Sequence, residues 1–346
     1  MKPFPRTEIS NSGQVKFCPE ANQQRQDAVY NIINSEEWSK QIKTIVDFGC
    51  GELRFFKVLK TMEQLDSIIC IDIDEEKLKL HGEKANPAFN GIVEYMKKPL
   101  KVDIYHGDIG QIDSCIKNSD AIICIEVIEH LFPNELDNLP YTIFGFAKPK
   151  LVVITTPNVE FNIVFSKKNK MRHEDHKFEW TRVQFRDWAS NIIQRYPDYA
   201  VEFQDIVVPP KGYESIGPLT QMAVFHKQTK FADNKHENDT VKNYELIYSY
   251  EYPVQKDLRE TDDKILQEFM FYLTKYSDSN DQCEQYGDDS QAIMIPLKPL
   301  FKKIKSLVPN LRELESLLIG FGYTITKHNL ILSKPKVKYN RGYPHL

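Results

Sequence analysis

Thr44-Ile-Val-Asp47-Phe48-Gly49-Cys50-Gly51-Glu52 decides the fold of this chain. A five-residue, mostly apolar run ends in two glycines spaced for a tight turn, and a helical pattern starts at Phe55. Such a run reads as a buried strand that delivers a ligand to exposed backbone at its end. The alternation continues outward from it. Ser67–Asp72, Val102–Tyr105, Ala121–Ile125 and Leu151–Thr155 are further buried-strand candidates, and Gln24–Asn34, Phe55–Met62 and Glu75–Glu83 carry helical patterns. Strand–helix alternation predicts an α/β fold with a doubly wound, mostly parallel sheet. Ala200–Val208 and Thr220–Phe225 add two strands separated by Pro209–Gly217, too short for a parallel crossover, so the last of seven strands is expected to be antiparallel.

Residues 1–228 are therefore expected to form one domain with a helical lead-in. Residues 229–243, with Asp233-Asn-Lys-His-Glu-Asn-Asp239, read as a linker or exposed loop. Residues 244–346 read as a C-terminal appendage with a helix at Leu311–Leu318, a strand at Thr324–Leu332 and an acidic loop at Ser277–Asp289. The bulk numbers suit a globular protein: 346 residues, 41% hydrophobic, 27% charged. A net charge of −4 argues against nucleic-acid binding through bulk charge while leaving room for a local basic patch. Six cysteines without a Cys-x-x-Cys pair read as reduced thiols rather than a disulfide or zinc framework. The N-terminus has no apolar signal core and no stretch reaches transmembrane length, so the expectation is a cytoplasmic monomer away from membranes.

Gly49 and Gly51 lack the third glycine of a dinucleotide fingerprint, and Glu52 would repel a pyrophosphate, so a cofactor without phosphates fits better. Asp72 ends the second strand, where a carboxylate can accept both hydroxyls of a ribose. Asp108 follows the third strand and can accept from an adenine amino group, with Ile109 packed on the ring. Asp72 or Asp74 alone can equally be a helix N-cap. In order at successive strand ends, the set resembles the S-adenosylmethionine site of class I methyltransferases, in which Asp47 faces the methionine part, Asp72 the ribose and Asp108 the adenine.

After the strand at Ala121–Ile125 comes Glu126-Val-Ile-Glu129-His130. Residues at i, i+3 and i+4 share one face of a helical turn, so two carboxylates and an imidazole are expected to converge at a strand end. The bland alternative is a solvated helix start. A fourth ligand must come from elsewhere, and both His173 and His176 lie in the polar loop after the fifth strand. Two carboxylates with two imidazoles suit a divalent ion such as magnesium or manganese, with cobalt a further option; no thiolate is offered for a structural zinc. A divalent ion beside a methyl donor suggests a hydroxyl acceptor whose pKa the ion lowers.

Val46-Asp-Phe-Gly-Cys-Gly51, Ile125-Glu-Val-Ile-Glu-His-Leu131, Thr156-Pro-Asn158 and Asp175-His-Lys-Phe-Glu-Trp-Thr-Arg182 together resemble the Hua-enhancer family of small-RNA 3′-terminal 2′-O-methyltransferases. The resemblance runs from about Phe17 to Lys227. It implies a Rossmann-like methyltransferase fold, S-adenosylmethionine as donor, and a metal held by Glu126, Glu129, His130 and His176 with the 2′- and 3′-hydroxyls of a terminal nucleotide. It thereby selects His176 over His173. The length leaves no space for a double-stranded-RNA module, which points to the short animal type and to single-stranded piRNA-class substrates held by a Piwi-class Argonaute protein. One segment departs from the family: Phe17-Cys-Pro-Glu-Ala-Asn-Gln-Gln-Arg25-Gln26 keeps Gln24 and Arg25 but lacks the usual second proline and both tyrosines.

Arg25, Arg172 and Asn158 are the candidate RNA contacts, Arg172 at the end of a basic cluster with Lys167, Lys168 and Lys170. Asn158 can equally cap the following turn, and Phe178 and Trp180 read as core in preference to base-stacking residues. The rival readings are a metal-dependent O-methyltransferase acting on a catechol-like diol or other acceptor, and a non-catalytic binding module of the same fold.

Overall fold

The computed structural model describes residues 5–89, 94–165, 171–228, 240–254, 260–279 and 292–333. The chain runs β1 (Arg6–Ile9), β2 (Val15–Cys18), α1 (Ala21–Ile33), β3 (Thr44–Phe48), α2 (Phe56–Leu59), β4 (Ser67–Asp72), α3 (Glu75–His81), β5 (Leu100–His106), β6 (Ala121–Ile125), α4 (Pro133–Pro140), β7 (Leu151–Pro157) and α5 (Arg182–Arg195). It continues through β8 (Tyr199–Ile206), β9 (Thr220–Lys227), β10 (Glu245–Tyr252), α6 (Glu260–Ser279), β11 (Ala292–Pro296), α7 (Leu297–Ile304), α8 (Leu311–Gly320), β12 (Thr324–Thr326) and β13 (Asn329–Ser333).

Two compact units divide the chain: Met1–Ala85 with Leu100–Tyr250, and Asn86–Pro99 with Glu251–Leu346. The first is built on an eight-stranded sheet in the order β10-β5-β4-β3-β6-β7-β9-β8. The pairs β3/β4, β4/β5, β3/β6 and β6/β7 are parallel, and β9 runs antiparallel to both β7 and β8. This is the mostly parallel sheet the sequence predicts, with one strand more than the expected seven. The extra strand is β10, in a region read as appendage. Its alternation Glu-Leu-Ile-Tyr-Ser-Tyr-Glu-Tyr suits a half-buried edge strand rather than an apolar run.

The central strands are mostly apolar because neighbours cover both faces. Val46, Phe48, Ile122, Cys124, Val152 and Ile154 are wholly buried in one core with Phe185, Ala189 and Ile192 of α5. The order in which strands are added reverses at β3: β4 and β5 lie to one side, β6 and β7 to the other. The crevice outside the carboxyl ends of strands at such a reversal is where open α/β sheets bind ligands.

The second unit has its own core, with Phe269, Leu297, Leu314, Leu318 and Leu330 fully buried around the sheet β11-β13-β12. Thr324–Leu332, expected as one strand, is a hairpin. Lys327 and His328 form a two-residue turn with both φ angles positive, 49° and 62°, the geometry of a type I′ turn. Asparagine-glycine is the usual signal for that turn, and its absence hid the reversal. An N-terminal hairpin, β1 with β2, was likewise not predicted. Lys167, Lys168, Lys170, most of the linker and most of the acidic loop lie outside the described residues. The five described cysteines are unpaired with one another, and no helix among the described residues is long and apolar enough to cross a membrane.

Candidate active site

The donor end of the crevice grows from the loop after β3. Gly49 and Cys50 donate their N–H groups to the Ile71 carbonyl, 2.8 and 3.2 Å, tying the loop to β4. Gly49 has φ +70°, and a Cβ there would sit 2.5 Å from Cγ2 of Val127. Gly51 then turns its N–H onto Asp72 Oδ2, 2.7 Å, while the Asp74 N–H binds Oδ1, 2.9 Å. Each Asp72 oxygen keeps a second lone pair for a ribose hydroxyl. Asp74 is also the N-cap of α3, accepting from the Lys77 N–H. Asp108 takes the Gly110 N–H on Oδ1, 2.8 Å, and Ile109 is buried beside it.

A cavity of about 240 Å³ opens at the loop after β3, lined by residues that include Asp47, Gly49, Gly51, Glu52 and Ile125, while Asp72, Asp108 and Ile109 lie outside its lining. Asp47 is buried at its wall, and its Oδ2 has no hydrogen-bond partner. Burial first, and the nearby Asp72 charge second, push its carboxyl up to about 7. A buried carboxylate this poorly served invites a cationic partner.

The second end follows β6. Among the described residues, Glu129, His130 and His176 bring one ligand atom each within 4.8 Å of one another. Glu129 is fully buried; Oε2 accepts from the Thr156 hydroxyl, 3.0 Å, and Oε1 has no partner. Burial and the charge of Glu126 hold its carboxyl well above the usual range. His176 is buried with Nδ1 against Glu179 Oε1, 2.6 Å. That bond fixes the ring so that Nε2 is the available donor. His130 is half-exposed with Nδ1 3.3 Å from Asp175, and burial lowers its pKa. The Lys177 N–H binds the Glu129 carbonyl, 2.7 Å, joining the two loops.

The helical-turn argument holds for Glu129 and His130 and fails for Glu126. A short 3₁₀ turn covers Ile128–His130, while Glu126 precedes it in the left-handed region at φ +55°. The Glu126 N–H is held by the Thr155 hydroxyl, 3.0 Å. Its carboxylate pairs with Arg25, 2.9 Å, and accepts from Thr155, 3.1 Å. Glu126 thus lies next to the three-residue cluster without joining it. A non-glycine residue held at positive φ costs roughly 1–3 kcal/mol, and such strain concentrates at functional sites.

The candidate RNA contacts are engaged within the fold. Arg25 binds Glu126 and the Thr220 hydroxyl. Arg172 donates to the Asn158 carbonyl, 3.1 Å, and to Asn162 Oδ1, 3.0 Å. Asn158 is fully buried; its amide serves the carbonyls of Ile216 and Pro218, both 2.9 Å, and its Oδ1 takes the Glu160 N–H. Asn158 therefore organises its loop, as the capping alternative has it, and its side chain is closed to RNA. Phe178 and Trp180 pack on the core, their rings 4.4 Å apart. Glu179, which holds His176, is the residue of this site that the sequence reading passed over. Its spacing of three from His176 was the available signal. It also accepts from Asn162 and from the Arg172 N–H, which anchors the loop that carries His176.

Comparison with known proteins fits this geometry. A family model described as a methyltransferase domain matches residues 46–149. A small RNA 2′-O-methyltransferase of Drosophila melanogaster is 32% identical over 341 residues, covering 94% of this chain and 87% of that protein. One from Gallus gallus is 34% identical over 286 residues, covering 80% and 74%. Among solved structures, the small RNA methyltransferase HEN1 superimposes with a TM-score of 0.54 at 29% identity, covering 69% of this chain and 29% of that longer one.

Proposed function

Since the chain belongs to the small RNA 2′-O-methyltransferase family, we propose that it transfers the methyl group of S-adenosylmethionine to the 2′-oxygen of the 3′-terminal nucleotide of small single-stranded RNAs. The observation that carries this reading is the placement of a donor cavity and a Glu–His–His cluster at the same carboxyl end of neighbouring central strands.

Asp47 receives the ammonium of the methionine part, Asp72 the ribose hydroxyls, and Asp108 the adenine amino group, with Ile109 against the ring. Glu129, His130 and His176 fit a divalent cation: one buried carboxylate oxygen lacks a partner, and a carboxylate orients one imidazole. Glu126 completes the set when it leaves Arg25. Bound there, magnesium or manganese supplies Lewis acidity that makes a ribose hydroxyl a better nucleophile at neutral pH. The chain's own contribution is position. The loop after β6 holds the acceptor end and the loop after β3 holds the donor. The same reading takes a free vicinal diol as the recognised feature, piRNA-class RNA on a Piwi-class Argonaute as the substrate, and the cytoplasm as the location.

The test is transfer of labelled methyl to one small single-stranded RNA ending in a normal, a 3′-deoxy or a 3′-phosphate ribose. Label on the first alone, with protection of that end from periodate, supports the proposal. Equal labelling of all three, or transfer to catechols and none to RNA, refutes it.

A further inference from the structure

Two side chains beside the Glu–His–His cluster have no role in the mechanism above. Phe132 stands two residues after His130, and Lys177 directly follows His176. The Lys177 ammonium lies over the Phe132 ring, 4.7 Å from its centroid. One aromatic ring therefore touches both loops that build the cluster, at the join the Lys177–Glu129 backbone bond makes. Phe132 is 58% exposed and Lys177 is exposed with it.

A single exposed aromatic is unremarkable on a protein surface. Phe132 differs in position and in company. The unstacked end of a single-stranded RNA is held by a π-face for its base and a cation for its phosphate. An exposed cation–π contact is worth only about 0.5–1 kcal/mol, so an incoming base and phosphate readily replace it. Asn158 offers no comparable surface, since it is buried and its amide is committed to backbone carbonyls.

We propose that Phe132 and Lys177 form a nucleobase subsite at the rim of the cluster, the ring stacking on the base of the terminal nucleotide and the ammonium pairing with a neighbouring phosphate. The inference rests on the RNA reading of the active site. Stacking uses a face that every base has, so the subsite positions the end without selecting its sequence.

The experiment titrates the full chain, with manganese present, into a small single-stranded RNA carrying 2-aminopurine as its 3′-terminal base. The unaltered chain should quench the fluorescence as the base stacks. Phe132→Ala should lose most of the quench and bind about tenfold more weakly, whereas Phe132→Trp keeps both. Lys177→Gln should retain the quench and lower the slope of log affinity against log salt by about 0.7. Because Phe132 is exposed, its truncation leaves the thermal unfolding transition of the sheet unit unchanged, which separates this role from a structural one. Phe132→Ala with the original quench and affinity overturns the subsite, provided the unaltered chain methylates the RNA. An unaltered chain that neither binds nor methylates it overturns the RNA reading instead.

Discussion

Glu129 has no exposed surface and one carboxylate oxygen without a partner. An unpaired buried acceptor costs roughly 1–3 kcal/mol, so the fold retains it against a stability cost. Glu129→Gln keeps the shape and removes the charge. It should lower methyl transfer at least about 100-fold while donor affinity, measured calorimetrically, stays unchanged, because Asp47 and Asp72 are untouched. Glu179→Ala frees the ring of His176 from its fixed tautomer, and metal affinity should fall about 10–100-fold by titration. Asp47 predicts a pH effect. Its folded-state carboxyl titrates near 7, above its ordinary 3.8, so between those values the folded chain holds a proton that the unfolded chain has lost. Its contribution to stability is therefore greatest at low pH and is lost as pH rises through 7. Ammonium binding needs the ionised form, so donor affinity should rise from pH 6 to pH 8. At pH 6 donor binding should release protons, visible as a binding enthalpy that changes with the ionisation enthalpy of the buffer; an identical enthalpy in every buffer would sink the assignment. Sequence legibility at this scale followed covalent spacing. Asp47, Asp72 and Asp108 sit where strand ends put them, whereas Glu126 at φ +55° and Glu179 behind His176 depend on backbone geometry and a contact that the residue pattern does not encode.

Among elements, the buried parallel strands were the most legible. Thr44–Phe48, Ser67–Asp72 and Ala121–Ile125 coincide with β3, β4 and β6, because an apolar run covered on both faces ends where its cover ends. Phe55–Met62 narrowed to Phe56–Leu59 of α2, and the edge strand β10 and the β12–β13 hairpin were missed. Edges need only half an apolar pattern, and a type I′ turn at Lys327-His328 carries no composition cue. The loop after β3 offers a sharp element-level test. Gly49→Ala brings a Cβ to 2.5 Å from the stiff Val127 side chain at a φ of +70°. The left-handed backbone costs an alanine roughly 1–2 kcal/mol, and overpacking adds about 1–3. Denaturant midpoints should report a loss of about 2–5 kcal/mol, with weaker donor binding. Gly49→Ala combined with Val127→Ala should recover the packing part and leave the backbone part. A double variant no better than the single would show that Val127 is not what the glycine accommodates.

At the scale of the molecule, the site belongs to one unit and the second unit is separately cored. Asp47, Asp72, Glu129 and His176 all lie within Met1–Ala85 and Leu100–Tyr250, while Phe269, Leu314 and Leu330 close a core of their own. Two separate cores in one chain can unfold independently, in which case no single melting temperature describes it. Calorimetry should therefore resolve two unfolding transitions. S-adenosylmethionine contacts only the sheet unit in the proposed site, so at 100 times its dissociation constant it should stabilise that transition by about 2.7 kcal/mol and leave the other in place. Glu129→Gln should shift neither the donor response nor the second transition, whereas Asp72→Ala should abolish the donor response alone. A single transition that moves as a whole with donor would mean that the two units unfold as one cooperative body, and that the residues from Glu251 onward contribute to the stability of the active site.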